Sequence, residues 1–87
     1  MACYNIYWKP SAEKALRTLP KATIQSVIAT VDRLAINPYP ANTKKLKGSA
    51  KACFRVRTGN YRIIYEVHNQ ELIIEVIEVG HRKDIYR

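Results

Sequence analysis

The sequence predicts an α+β domain of order β-α-α-β-β-β, in which a helical hairpin packs on one face of a mainly antiparallel, twisted sheet. Three observations carry this. Ile24, Val27, Ile28, Val31, Leu34 and Ala35 recur with the 3.6-residue period of a helix. The stretch 53–67, CFRVRTGNYRIIYEV, alternates with period two on either side of Gly59-Asn60. The run 71–79, ELIIEVIEV, is apolar enough for an interior strand. With 87 residues the chain fits a single domain, 1–87, and a chain of this size removes only about 60% of its unfolded surface from water, so one compact core is expected.

Taken in order, residues 3–8, CYNIYW, put Tyr4, Ile6 and Trp8 on one parity of a first strand. Pro10 suits the first turn of a helix, and Ala12, Ala15, Leu16 and Leu19 follow at i, i+3, i+4 and i+7; this helix ends near Thr18. Pro20 opens the second helix, and Asn37-Pro38 stops it, because the residue before a proline is driven out of helical geometry. Residues 37–49, NPYPANTKKLKGS, have no apolar period and read as a loop. Residues 52–58, ACFRVRT, and 61–67, YRIIYEV, form a hairpin across Gly59-Asn60, and Asn69-Gln70 turns the chain into the last strand, completing an antiparallel meander.

Composition excludes several classes of protein. Cys3 and Cys53 lie fifty residues apart without CxxC spacing, against a disulfide framework or zinc site, and are expected as reduced thiols. No apolar run approaches the roughly 18 residues of a membrane span, and the N-terminus lacks the apolar stretch of a secretion signal, so a soluble, cytoplasmic protein is expected. The seven carboxylates are scattered, with no pair spaced on one element to hold Mg²⁺; neither metal nor other cofactor is expected.

The net charge of +8 is segregated. Between Asp32 and Glu66 stand Arg33, Lys44, Lys45, Lys47, Lys51, Arg55, Arg57 and Arg62 without one acidic residue; the rest of the chain balances seven basic against seven acidic groups. Such a block is the footprint of a polyanion-binding face. Period two sends Phe54, Val56, Tyr61, Ile63 and Tyr65 to the helix-covered side and Arg55, Arg57 and Arg62 to the other, where three guanidiniums are expected to share an open surface. The competing reading has Glu66 and Glu75 neutralise them within the sheet.

The tail 79–87, VGHRKDIYR, adds His81, Arg82, Lys83, Tyr86 and Arg87. Metal-free phosphodiester cleavage needs a base on the ribose 2′-hydroxyl, cations on the phosphorane oxygens and an acid for the leaving 5′-oxygen. Arginines suit the second task, but with a pKa above about 12 they are poor bases. His81, Lys51 and Lys83 are the titratable candidates, and Tyr86 can stack on a base or donate a hydrogen bond. His68, Tyr39 and Trp8 read as structural or surface residues.

In order and spacing, LKG at 46–48, CFRVRTGNYRIIYEV and VGHRKDIY at 79–86, with PSAEKALRTLP at 10–20, resemble the RelE branch of the RelE/ParE toxin superfamily over nearly the whole chain. The resemblance implies a microbial-ribonuclease-like RelE fold and the toxin of a type II toxin–antitoxin pair that enters the ribosomal A site and cuts mRNA. It implies site residues at Arg55, Arg57, Arg62, Arg82 and Tyr86, with Arg62 and Arg82 on the phosphorane and Tyr86 on the base at the cut. Well-known members carry lysines where this chain has Arg55 and Arg57, and one of those lysines is credited with base catalysis, so the base here falls to another group, His81 or Lys51, or the distorted RNA needs less help. Lys44, Lys45, Lys47, Lys51, Lys83 and Arg87 are expected to contact RNA or ribosome. The expected partners are the ribosome with its mRNA and a RelB-like antitoxin whose acidic or amphipathic segment covers the basic face. Two alternatives are a ParE-like protein that inhibits DNA gyrase without cleaving bonds, and an inactive member kept as a binding module.

Overall fold

The computed structural model describes residues 3–46 and 52–81. In chain order the elements are β1 (Asn5–Trp8), α1 (Pro10–Arg17), α2 (Lys21–Leu34), β2 (Thr43–Lys45), β3 (Cys53–Thr58), β4 (Tyr61–His68) and β5 (Ile73–His81). The five strands form one sheet in the order β1-β5-β4-β3-β2. The meander β2-β3-β4-β5 is antiparallel, and β1 joins β5 in parallel, so the sheet is mixed. The class is α+β as expected, with one strand more: β2 lies inside the stretch read as loop. It spans only three residues, TKK, too short to display a period, and its lysines suit an edge strand that must not recruit another chain.

The helices form as their sequences dictate. Pro10 sits in the first turn of α1, Glu13 lies near its positive end and Arg17 in its last turn. Ala12 and Leu16 of α1, and Val27, Val31 and Leu34 of α2, are buried against the sheet. From the strands come Val56, Ile63, Tyr65, Val67, Ile74, Val76 and Val79. Burying each of the valine, leucine and isoleucine side chains is worth about 1.5–3 kcal/mol, which is why these residues, and not the exposed Ile28 of α2, set how the layers seat. Tyr4, Ile6 and Trp8 pack on the rim of this core, as their shared parity predicts.

Two local features govern which way the strands face. The β3–β4 hairpin turns on Gly59, at φ 59°, with Asn60 outside the left-handed region; a positive φ at the first central residue alone is the type II′ arrangement that glycine permits. Between β4 and β5, Ile64 stands opposite Glu78 but Tyr65 stands opposite Val76, so Ile77 of β5 is an extra residue, a β-bulge. The bulge reverses the parity of β5: Ile74 and Val76 face the helices before it, and Val79 after it.

Candidate nucleic-acid interface

Residues paired across neighbouring strands share a face of the sheet. On the side away from the helices, Lys44, Arg55, Ile64 and Glu78 form one row across β2, β3, β4 and β5. The next row holds Arg57 directly opposite Arg62, followed by Gly80. The register thus gathers Arg55, Arg57, Arg62 and Lys44 at one end of one face. Lys45 pairs with Phe54 and so takes the other parity, at the sheet edge.

The arginines are less open than expected. Arg57 is exposed, but Arg55 and Arg62 retain only 9% and 6% of their surface. Both sit on strands flanked on either side, Arg55 between Lys44 and Ile64, and Arg62 between Arg57 and Gly80, so their aliphatic stems are hemmed in. Among the described residues neither Arg55 nor Arg57 forms an ion pair with a carboxylate. Arg55 Nε is a buried donor without a hydrogen-bond partner among those residues, an arrangement that is costly unless an acceptor is supplied. Glu66 and Glu75 engage His68 instead, at 3.2 and 3.8 Å from its Nε2.

His81 stands apart from the arginines. It pairs with Tyr61, and their rings meet edge to face at 5.4 Å. Tyr61 shares a cavity with Ala22, Thr23 and Ser26 of α2, which marks this parity as the helix side. The bulge turned β5 over before His81 was reached, so straight alternation along the strand does not place it. Lys47, Lys51, Arg82, Lys83, Tyr86 and Arg87 lie outside the described residues.

Arg33 belongs to the basic block between Asp32 and Glu66, where the sequence alone gives it no role. At the end of α2, its Nε donating to the Ala29 carbonyl at 3.3 Å, it lines with Thr30, Asn42, Arg57 and Thr58 a cleft of about 240 Å³ beside the arginine rows. Its only sequence signal was membership of that block, since the distance from Arg33 to Arg57 along the chain conceals their approach.

On this face the Cys53 thiol, opposite Glu66, is pushed up from its ordinary range by burial and then by the Glu66 charge, and so favours the protonated form. Across the sheet the Tyr65 phenol is raised by burial; it donates to the Pro38 carbonyl, and Thr43 Oγ1 lies 3.3 Å from it. These contacts tie Pro38 and Thr43, at either end of the segment leading into β2, to Tyr65 of β4.

The arrangement as a whole is a rigid sheet presenting guanidiniums on adjacent strands, suited to holding phosphates and stabilising charge that develops on them. A family model described as "ParE toxin of type II toxin-antitoxin system, parDE" matches residues 6–86. A RelE-like toxin protein of Escherichia coli is 31% identical over 87 residues, covering 95% of this chain and 90% of that one. Toxin RelG of Mycobacterium tuberculosis is 27% identical over 85 residues, covering 97% of each. Among solved structures, the archaeal RelE–RelB complex from Pyrococcus horikoshii OT3 contains a chain that superposes with a TM-score of 0.82 at 30% identity, over 92% of this chain and 96% of that one. The isolated Escherichia coli RelE toxin, at 22% identity and a TM-score of 0.78 over 90% of this chain and 83% of that one, shares the fold.

Proposed function

The chain belongs to the RelE/ParE family of type II toxin–antitoxin toxins, and on that premise we propose that it is a ribosome-dependent mRNA endonuclease of the RelE kind. The observation that carries this reading is the double row on the open face: Arg57 opposite Arg62, with Arg55 and Lys44 beside them. In the proposed reaction the 2′-oxygen bonds to phosphorus, the P–O5′ bond breaks, and the products are a 2′,3′-cyclic phosphate and a free 5′-hydroxyl. Arg62, Arg57 and, in the tail, Arg82 hold the phosphorane oxygens, and the Arg55 Nε donor finds its acceptor in the backbone. Removing one such donor from a comparable site costs about 10²–10³ in kcat. Tyr86 orients the base at the cut. With His81 packed on Tyr61, proton transfer from the 2′-hydroxyl falls to Lys51, to another tail group, or to His81 after reorientation.

Known relatives pair with RelB in their crystals, which supports a cognate antitoxin here that presents acid or amphipathic helix to the arginine face. A second reading, inhibition of DNA gyrase without cleavage, is favoured by the parDE description of the matching family. One experiment separates them: purified protein is added to translating ribosomes, with primer extension on the mRNA, and in parallel to a gyrase supercoiling assay. Codon-registered cuts are the expected result. Intact mRNA together with blocked supercoiling would replace the nuclease with the gyrase inhibitor.

A further inference from the structure

At the far end of the open face, β4 and β5 bring together three groups that the arginine chemistry does not use. Glu66 and His68 are i and i+2 on β4, and Glu75 of β5 is the register partner of Glu66. His68 Nε2 lies 3.2 Å from Glu66 Oε1 and 3.8 Å from Glu75 Oε1, and one ligand atom from each residue lies within 4.8 Å of the other two. Two carboxylates directly opposite on paired strands repel each other, which a cation between them would reverse. We propose that Glu66, His68 and Glu75 form a site for one divalent transition-metal ion of the Zn²⁺ class, held by one imidazole nitrogen and two carboxylates and completed by solvent.

The geometry fits such an ion. Zinc binds nitrogen and oxygen at about 2.0–2.2 Å, so tetrahedral neighbours stand roughly 3.4 Å apart. The two separations from His68 Nε2, 3.2 and 3.8 Å, bracket that figure, and the three residues sit on two strands that the sheet pairs in register. Side-chain exposures of 16% for Glu66, 34% for His68 and 39% for Glu75 leave one side of the site to water. Two open cavities meet at His68, one lined by Glu66 and Glu71, the other by Tyr7 and Glu75. An imidazole in the set selects against Mg²⁺ and Ca²⁺, which take oxygen donors. Bound there, the ion bridges β4 to β5 beside their connecting turn and stabilises the folded chain by mass action. Neither consequence depends on what the arginine face cuts or binds.

The test titrates the full chain with Co²⁺ at neutral pH, following visible d–d absorption, and then displaces it with Zn²⁺. Expected are saturation at one equivalent, displacement by Zn²⁺ but not by millimolar Mg²⁺, and a melting temperature raised by Zn²⁺. The isosteric Glu75→Gln and the truncation His68→Ala should abolish the signal and the Zn²⁺-dependent shift in melting temperature, whereas Cys53→Ser and Arg57→Ala should keep both. Absence of saturable absorption would overturn the proposal. So would absorption that survives Glu75→Gln and His68→Ala, or that is lost with Cys53→Ser.

Discussion

Arg57 stands in solvent directly across from Arg62, so two cations share a position where paired strands favour opposite charges. This juxtaposition does not serve the fold. Arg57→Ala should therefore leave stability unchanged or raise it by a few tenths of a kcal/mol, measured by urea denaturation, while mRNA cleavage falls about 10²-fold or more by primer extension. Arg57→Lys should restore less than full activity, because a point charge does not reproduce the guanidinium fork. Tyr65 makes the opposite trade: fully buried, it serves the fold through its hydroxyl, donating to the Pro38 carbonyl beside Thr43. Tyr65→Phe leaves that carbonyl unpaired and should cost about 1–2 kcal/mol. Burial raises the phenol above its ordinary 10.0, so the folded state holds the proton more tightly than the unfolded chain does. The stability so gained is complete below the unfolded value and drains as pH climbs through it toward the folded value. Cys53, also raised, drains in the same direction from lower pH. Denaturation across alkaline pH should thus show a difference between wild type and Tyr65→Phe that narrows above about pH 10.

Among the described residues, the β4–β5 turn holds the one side-chain-bearing residue in the left-handed region. Leu72 adopts φ 56°, a left-handed conformation that costs a side-chain-bearing residue about 1–2 kcal/mol, and its carbonyl accepts the Asn5 N–H at 2.8 Å, fixing where β1 starts. Asparagine tolerates that conformation, and the Leu72 side chain is more than a third exposed, so Leu72→Asn should raise stability by about 0.5–1 kcal/mol in the same denaturation assay. The elements also divide into those that the sequence exposes to view and those that it hides. α2 and the β3–β4 hairpin were legible because each repeats its period several times over, so the shared face of Arg55, Arg57 and Arg62 followed by counting. β2 was not, having three residues and no repeat. The bulge at Ile77 was hidden because an uninterrupted apolar run carries no parity, and it set His81 beside Tyr61. The burial of Arg55 and Arg62, and the meeting of Glu66 with Glu75, depend on neighbours across strands; only the pairing register supplies those, and it is not written in either strand alone.

Across the whole molecule, charge is polarised on one surface. The open face runs from Arg57, Arg62, Arg55 and Lys44 at one end to Glu66 and Glu75 at the other, within a chain of net charge +8. A uniform excess and a concentrated face both attract RNA, but they differ in how salt weakens the attraction. Each phosphate neutralised by a localised cation releases condensed counterions, giving a slope of log K against log salt of about −0.7 per contact on single strands. Arg57→Ala should therefore flatten the slope by about that amount for a short single-stranded RNA, followed by fluorescence anisotropy across a sodium chloride series. Arg17 is the matched control: of the same charge and also exposed, it lies on α1 on the other side of the sheet, 3.2 Å from Glu13. Arg17→Ala should lower the net charge by the same unit and leave the slope unchanged. Equal flattening by both substitutions would mean that the RNA responds to total charge, and the arginine rows would then lose their standing as the binding face.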